Sequence, residues 1–278
     1  MSDGDRMRND EDDAMTDSFI FKTDRPWPNA RLREGLIIGH TTAVSAKVWL
    51  RTGQPGAFSL LCYPTNMPGA DAFRQRLGEV PFVINKLPAG VKRLPFKIAD
   101  FGSDTTHVID VAGLQPFTDY SNALYGPDSA GNLRILLGQD IGNDTLRYSF
   151  RTLASDVRPL SFGFYSCHMP YSESIFGRLQ IDNMNMWDSF ALTLRRHRER
   201  GPLAFVIGGG DQVYTDGIKK LSIWNFLNTC LEQDPGTLPD RNAMLSWYRD
   251  VYRGYWGFPQ IREIFSQTPT YMNDLGRS

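Results

Sequence analysis

The apolar pattern of this chain changes near Asp156, and the change demands two kinds of architecture. From about Gly35 to Thr152, short alternating runs are separated by turn residues, the spacing of β-strands. Beyond Asp156, strand-length apolar runs alternate with a helical repeat, the pattern of a βαβ unit. A length of 278 residues agrees with two domains. Aromatic residues make up 12% of the chain, enough bulky apolar surface for a real core, so a wholly disordered polypeptide is excluded. The net charge of −1 argues against a protein held on nucleic acid by phosphate neutralisation. Cys62, Cys167 and Cys230 are too few and too far apart for a disulfide scaffold. No run of 18 apolar residues is present, so no membrane-spanning helix is expected.

In AVSAKVWLRT, Val44, Ala46, Val48 and Leu50 fall on one face and Ser45, Lys47 and Arg51 on the other. Trp49 breaks the alternation, which points to a strand covered on both faces. Gly53 to Gly56 reads as a turn, followed by a strand in which Phe58, Leu60 and Cys62 share a face. Cys62 is therefore expected to be a small core hydrophobe. Further strands are expected at Phe96–Ile98, His107–Val111, Tyr120–Tyr125 and Leu146–Thr152, with no amphipathic helix among them. This spacing favours an all-β sandwich. Leu114 to Tyr120 has the form L-x-P-x-T-x-Y, similar to the tyrosine corner of fibronectin type III domains.

Leu160 to Ser166 is an apolar run of strand length. Asp182 to Arg200 reads as a helix with Met186, Phe190, Leu194 and His197 on its stripe, ended by Gly201-Pro202. Leu203 to Gly208 is a second apolar run. Strand, helix and strand in this order predict two parallel neighbours joined by a right-handed crossover, both buried on two faces. A later helix, roughly Arg241 to Tyr255, sets Met244, Trp247, Tyr248 and Val251 on a core stripe.

Met1 to Phe19 holds seven acidic residues against Arg6 and Arg8, so this segment carries about −5 and the remainder about +4. It reads as a solvated disordered tail, with an acidic partner-binding arm as the lesser alternative. No basic stretch followed by an apolar one marks a secretory signal, and a cytoplasmic location is the expectation. The division expected is 1–30 for tail and linker, 31–155 for the sandwich, and 156–278 for the α/β part.

Ligands of open α/β sheets gather outside the carboxyl ends of the strands. Ser166-Cys167-His168 follows one strand there, and Gly208 to Asp216 follows the other. Neighbouring strands would aim Cys167 and Asp211 into one crevice, with Gly208 to Gly210 allowing a tight turn. A thiol, a carboxylate and the phenol of Tyr214 would make a metal cup. Thiolate and phenolate suit a transition metal such as ferric iron, whereas a carboxylate alone suits calcium or magnesium. Taken singly, Asp211 reads as a turn cap, Cys167 as packing and Tyr214 as a half-buried aromatic; their joint placement favours the cup. Other motifs fail: the glycines lack the ending of a phosphate loop, and no G-x-S-x-G elbow exists. A Cys167–His168 dyad is disfavoured, because neighbours on extended backbone point apart. Arg195 to Arg198 is read as a solvated helix face with one buried contact.

With these segments in order, the chain resembles the alkaline phosphatase D (PhoD-like) metallophosphatases. GLIIGHTTAVSAKVWLRT, LQPFTDY and YSFRT are similar to the family's fibronectin-like N-terminal domain, Ser166-Cys167 to its Ser-Cys motif, and Gly210 to Tyr214 to its G-D-x-x-Y motif. WYRDVYRGYWGFPQIREIFSQTPTYM is similar to the helix and strand before its third motif, so the resemblance runs from about Gly35 to Met272. It implies a fibronectin III/Ig-like sandwich followed by an α/β, calcineurin-like metallophosphatase domain. It further implies hydrolysis of small phosphate monoesters or diesters at a two-metal site. Cys167 and Tyr214 would bind ferric iron, and Asp211 would bridge to a second divalent cation, calcium in some members.

The family continues into a D-D-H-[DE] motif, where this sequence reads Asn273-Asp274-Leu275-Gly276-Arg277-Ser278. The resemblance therefore implies a C-terminally truncated member with an incomplete α/β domain. Three ligands do not fill two metal shells, so independent activity is not expected. Missing strands would leave an open sheet edge and exposed apolar faces. The alternative is a non-catalytic member serving as a binding module. The sequence offers no nucleic-acid patch and sets no oligomeric state.

Overall fold

The computed structural model describes residues 27–138, 146–156, 158–201 and 203–272. The expected acidic tail, the helix-ending Pro202 and Asn273-Asp274 lie outside the described residues. Two compact units interleave along the chain. One comprises the residues up to Leu32 with Ser166–Phe190 and Gly209–Ile261; the other comprises Arg33–Tyr165, Ala191–Gly208 and Arg262 onward.

The larger unit contains the two antiparallel sheets of a sandwich. The first has the order β1 (Gly35–Thr41), β2 (Ser45–Arg51), β5 (Thr106–Ala112). The second has the order β4 (Lys92–Ile98), β3 (Gly56–Pro64), β6 (Asp119–Pro127), β7 (Leu133–Leu137), with β8 (Ser149–Arg151) also paired to β6. Alternation places Ile38, Ala46, Val48 and Leu50 of the first sheet against Phe58, Leu60, Cys62 and Leu124 of the second in one core cluster. Fully burying each large aliphatic side chain there contributes roughly 1.5–3 kcal/mol. Cys62 is a core residue, as its face predicts, and burial pushes its thiol up to about 12. The tyrosine corner is formed: the amide of Gln115 donates to the Tyr120 hydroxyl at 2.8 Å.

Several expectations for this half are corrected. Val44 lies just ahead of β2 and is 53% exposed, so the inward face begins at Ala46. The last strand is shorter than Leu146–Thr152, and β7 was not anticipated. A helix, α1 (Ala70–Arg76), does interrupt the strands. It buries only Ala70 and Phe73, too few positions to register as a helical repeat in the sequence. Its Phe73 joins Leu61, Tyr63, Phe82, Tyr125 and Ile135 in a second core cluster, which is why β3 and β6 are buried on both faces.

The same unit holds a parallel sheet in the order β13 (Thr270–Met272), β12 (Leu203–Gly208), β9 (Ser161–Tyr165). Both pairings are parallel, as the strand–helix–strand pattern requires. Its expected burial on two faces is not found. Gly163 and Tyr165 are buried, whereas Phe162 and Phe164 are 56% and 61% exposed. Phe162 stacks on Phe205 of the neighbouring strand at 5.5 Å, so this face is apolar yet open.

Between β9 and β12 come a hairpin of β10 (Tyr171–Glu173) and β11 (Leu179–Ile181) and then the helix α2 (Trp187–Arg200). The helix starts five residues later than Asp182. Asp182 accepts from the Met184 amide at 2.7 Å, and Asn185 accepts from the Trp187 amide at 3.1 Å, so polar side chains fold the approach into turns. The buried stripe is Trp187, Ala191 and Leu194; Met186 and His197 are exposed.

A 3-10 turn (Lys219–Leu221) leads to α3 (Ile223–Gln233), α4 (Arg241–Trp256) and α5 (Pro259–Gln267). Asp240 caps α4 by accepting from the Ala243 amide at 2.8 Å. Its inward stripe is Trp247, Val251 and Tyr255, with Tyr248 37% exposed. Residues 27–32 pack against the end of α4: the Leu32 amide donates to the Arg253 carbonyl at 2.8 Å, and Arg31 pairs with Asp250 at 2.7 Å. No helix among the described residues is long and apolar enough to cross a membrane.

Candidate metal centre

Parallel pairing sets Tyr165, the last residue of β9, beside Gly208, the last residue of β12. Each strand then runs directly into one of the segments singled out in the sequence. The two turns are tied backbone to backbone: the Cys167 amide donates to the Gly210 carbonyl at 3.3 Å, and the His168 amide to the Asp211 carbonyl at 2.9 Å. Gly210 has φ of 146°, a conformation that glycine adopts readily. Cys167 and Asp211 have φ of 61° and 51°, left-handed backbone that costs a side-chain-bearing residue roughly 1–2 kcal/mol. Residues held in such conformations cluster at ligand clamps and active sites.

The strained turns bring the three candidate side chains together. Cys167 Sγ donates to Asp211 Oδ2 at 3.5 Å, and the Tyr214 hydroxyl donates to the same oxygen at 3.2 Å. Cys167 is the exposed thiol among the three cysteines, and Asp211 is exposed as well. Tyr214 is partly buried, and its phenol is held above the ordinary range, first by its hydrogen bond with Cys167 and then by desolvation. Both protons must leave for the set to act as thiolate and phenolate.

A thiol and a phenol that meet on one carboxylate oxygen are donor types that, once deprotonated, a single ferric ion takes. They do not suit two ions, for only Asp211 is placed to be shared. Among the described residues no group of three or more His, Cys, Asp and Glu side chains is arranged to hold a metal.

Sequence reasoning passed over the support beneath these ligands. His168 is buried, 1% exposed, whereas its neighbour Cys167 is exposed; the left-handed turn at Cys167, not strand alternation, separates them. Its ring lies between Trp187 at 4.7 Å and Tyr255 at 5.2 Å, both edge-on. Burial lowers its pKa to about 3, opposed by a hydrogen bond to the Gln212 backbone. The Tyr255 hydroxyl reaches the Tyr214 carbonyl at 3.3 Å. A histidine directly after the candidate cysteine was the available signal, but its cage comes from residues remote in sequence.

No family model and no curated protein matches this sequence. Among solved structures, the chain is similar to that of PhoD, with 11% identity and a TM-score of 0.50 over 86% of this chain and 38% of that one. It is also similar to a purple acid phosphatase from yellow lupin (Lupinus luteus) seeds, with 14% identity and a TM-score of 0.37 over 89% of this chain and 35% of that one. The third fibronectin III domain of a human protein matches 45% of this chain and 83% of its own length, with 14% identity and a TM-score of 0.26. The last two similarities are too loose to carry an argument. The first shows fold alone: the chain has a PhoD-like fold over most of its described length and spans a little over a third of the structure that shows it.

Proposed function

We propose that this chain belongs to a metal-dependent phosphatase or phosphodiesterase of the PhoD-like kind, acting on small phosphate esters. The observation that carries this reading is the convergence of Cys167 and Tyr214 on one carboxylate oxygen of Asp211, at the carboxyl ends of adjacent parallel strands. In this reading Cys167, Asp211 and Tyr214 would hold one ferric ion, and the second divalent cation that the resemblance implies, calcium, would need ligands beyond these three. Such ions, when bound, supply Lewis acidity toward phosphoryl oxygens. The chain's own residues do the rest. The left-handed turns hold Cys167 and Asp211 face to face before any ion arrives. Tyr214 keeps its proton and donates it in a hydrogen bond to the Asp211 carboxylate in the metal-free state, and Gly210 lets the two backbones meet.

A second reading, a non-catalytic binding module, is favoured by one fact: three donors complete neither shell. The two readings separate in one experiment. The chain is loaded with ferric iron and calcium, its metal content measured, and phosphate release from an aryl phosphate compared with a Cys167→Ala/Asp211→Ala variant. Retained iron with release above the variant supports the hydrolase. Retained iron without release supports the binding module. Folded protein that retains no more iron than the variant overturns the hydrolase and supports the binding module.

A further inference from the structure

We propose that His168 is a positioning residue that clasps the turn bearing Cys167 to the turn bearing Asp211, an inference that rests on the metal reading of those two residues. Two left-handed, side-chain-bearing residues facing each other persist only where the surroundings over-determine them. His168 supplies two of the bonds that do so. Its amide holds the Asp211 carbonyl at 2.9 Å, and its ring bonds to the backbone of Gln212, the next residue. The ring Nε2 has no hydrogen-bond partner among the described residues, leaving Nδ1 as the bonding atom. One residue therefore grips the backbone at Asp211 and again at Gln212. Trp187 and Tyr255 wall the ring in, so it cannot swing out, and Tyr255 also reaches the Tyr214 carbonyl. The three candidate ligands thus share a single buried support. Partners of this supporting kind typically change metal affinity by about 10- to 100-fold when removed.

The test uses the full chain with three readouts. In metal-free wild type, nitrogen NMR of the His168 ring should find the proton on Nδ1 and slow to exchange. His168→Leu should exchange its Cys167 amide about tenfold faster or more, and bind ferric iron about 10- to 100-fold more weakly. His168→Asn, whose side-chain amide sits where Nδ1 does, should recover most of that affinity. A wild-type proton on Nε2 overturns the proposal even if the variants do not fold. So does a folded His168→Leu with wild-type amide exchange and iron affinity. If wild type binds no iron, the metal reading fails separately, and ring state and amide exchange still decide the clasp.

Discussion

Replacing Gly257 with alanine tests the docking of residues 27–32 on α4. A Cβ at Gly257 would lie 2.4 Å from the Ala30 carbonyl oxygen, 2.7 Å from the Arg253 carbonyl oxygen and 2.8 Å from the Leu32 nitrogen. All three are backbone atoms, so no flexible side-chain end can yield. The segment must retreat, straining a contact at a cost of roughly 1–3 kcal/mol. It would also break the Leu32 amide bond to Arg253, worth about 1 kcal/mol. Restricting the unfolded chain offsets about 0.4–1 kcal/mol of this. The net loss is on the order of 1–3 kcal/mol. Urea unfolding followed by tryptophan fluorescence should show a lower midpoint, and the Leu32 amide should exchange faster. Gly201→Ala is the control, since a Cβ there meets nothing within 4 Å. If Gly257→Ala kept both the midpoint and the Leu32 protection of the wild type, the docking of residues 27–32 would be wrong.

Other outcomes follow from the same geometry. Tyr120→Phe removes the acceptor of the Gln115 amide, and because Gln115 is exposed, water replaces part of that bond; chemical denaturation should register a loss of about 1 kcal/mol. Phe162→Ser with Phe164→Ser should leave the unfolding midpoint nearly unchanged and reduce self-association in light scattering, because both rings are more than half exposed. The folded state depresses the His168 pKa from 6.5 to about 3, so it favours the neutral ring. The matching stability is present above pH 6.5 and is lost as pH falls toward 3. Metal-free protein should therefore weaken across that window, and His168→Asn should flatten the profile; an unchanged slope would refute the burial argument.

What the sequence disclosed depended on how local the cause was. The tyrosine corner was legible because Leu114 to Tyr120 carries its own geometry, and the parallel pairing of β9 with β12 followed from strand, helix and strand in order. The proximity of Cys167 and Asp211 then followed from chain continuity. The helix α1 was hidden because two buried positions make no repeat. Phe162 and Phe164 misled because an apolar strand residue does not reveal whether anything covers its face. The start of α2 was misplaced because Asp182 and Asn185 turn the backbone with side-chain bonds that periodicity ignores. His168 stayed obscure for a different reason: its role depends on Trp187 and Tyr255, brought to it only by tertiary folding.

The most direct test of the whole account is a ferric titration of the folded chain watched in the visible spectrum. One equivalent should raise a tyrosinate-to-iron band with release of protons, binding should tighten as pH rises because Tyr214 must lose a proton held above its ordinary range, and Tyr214→Phe should abolish the colour. A colourless wild-type titration, or a band that survives Tyr214→Phe, would contradict it.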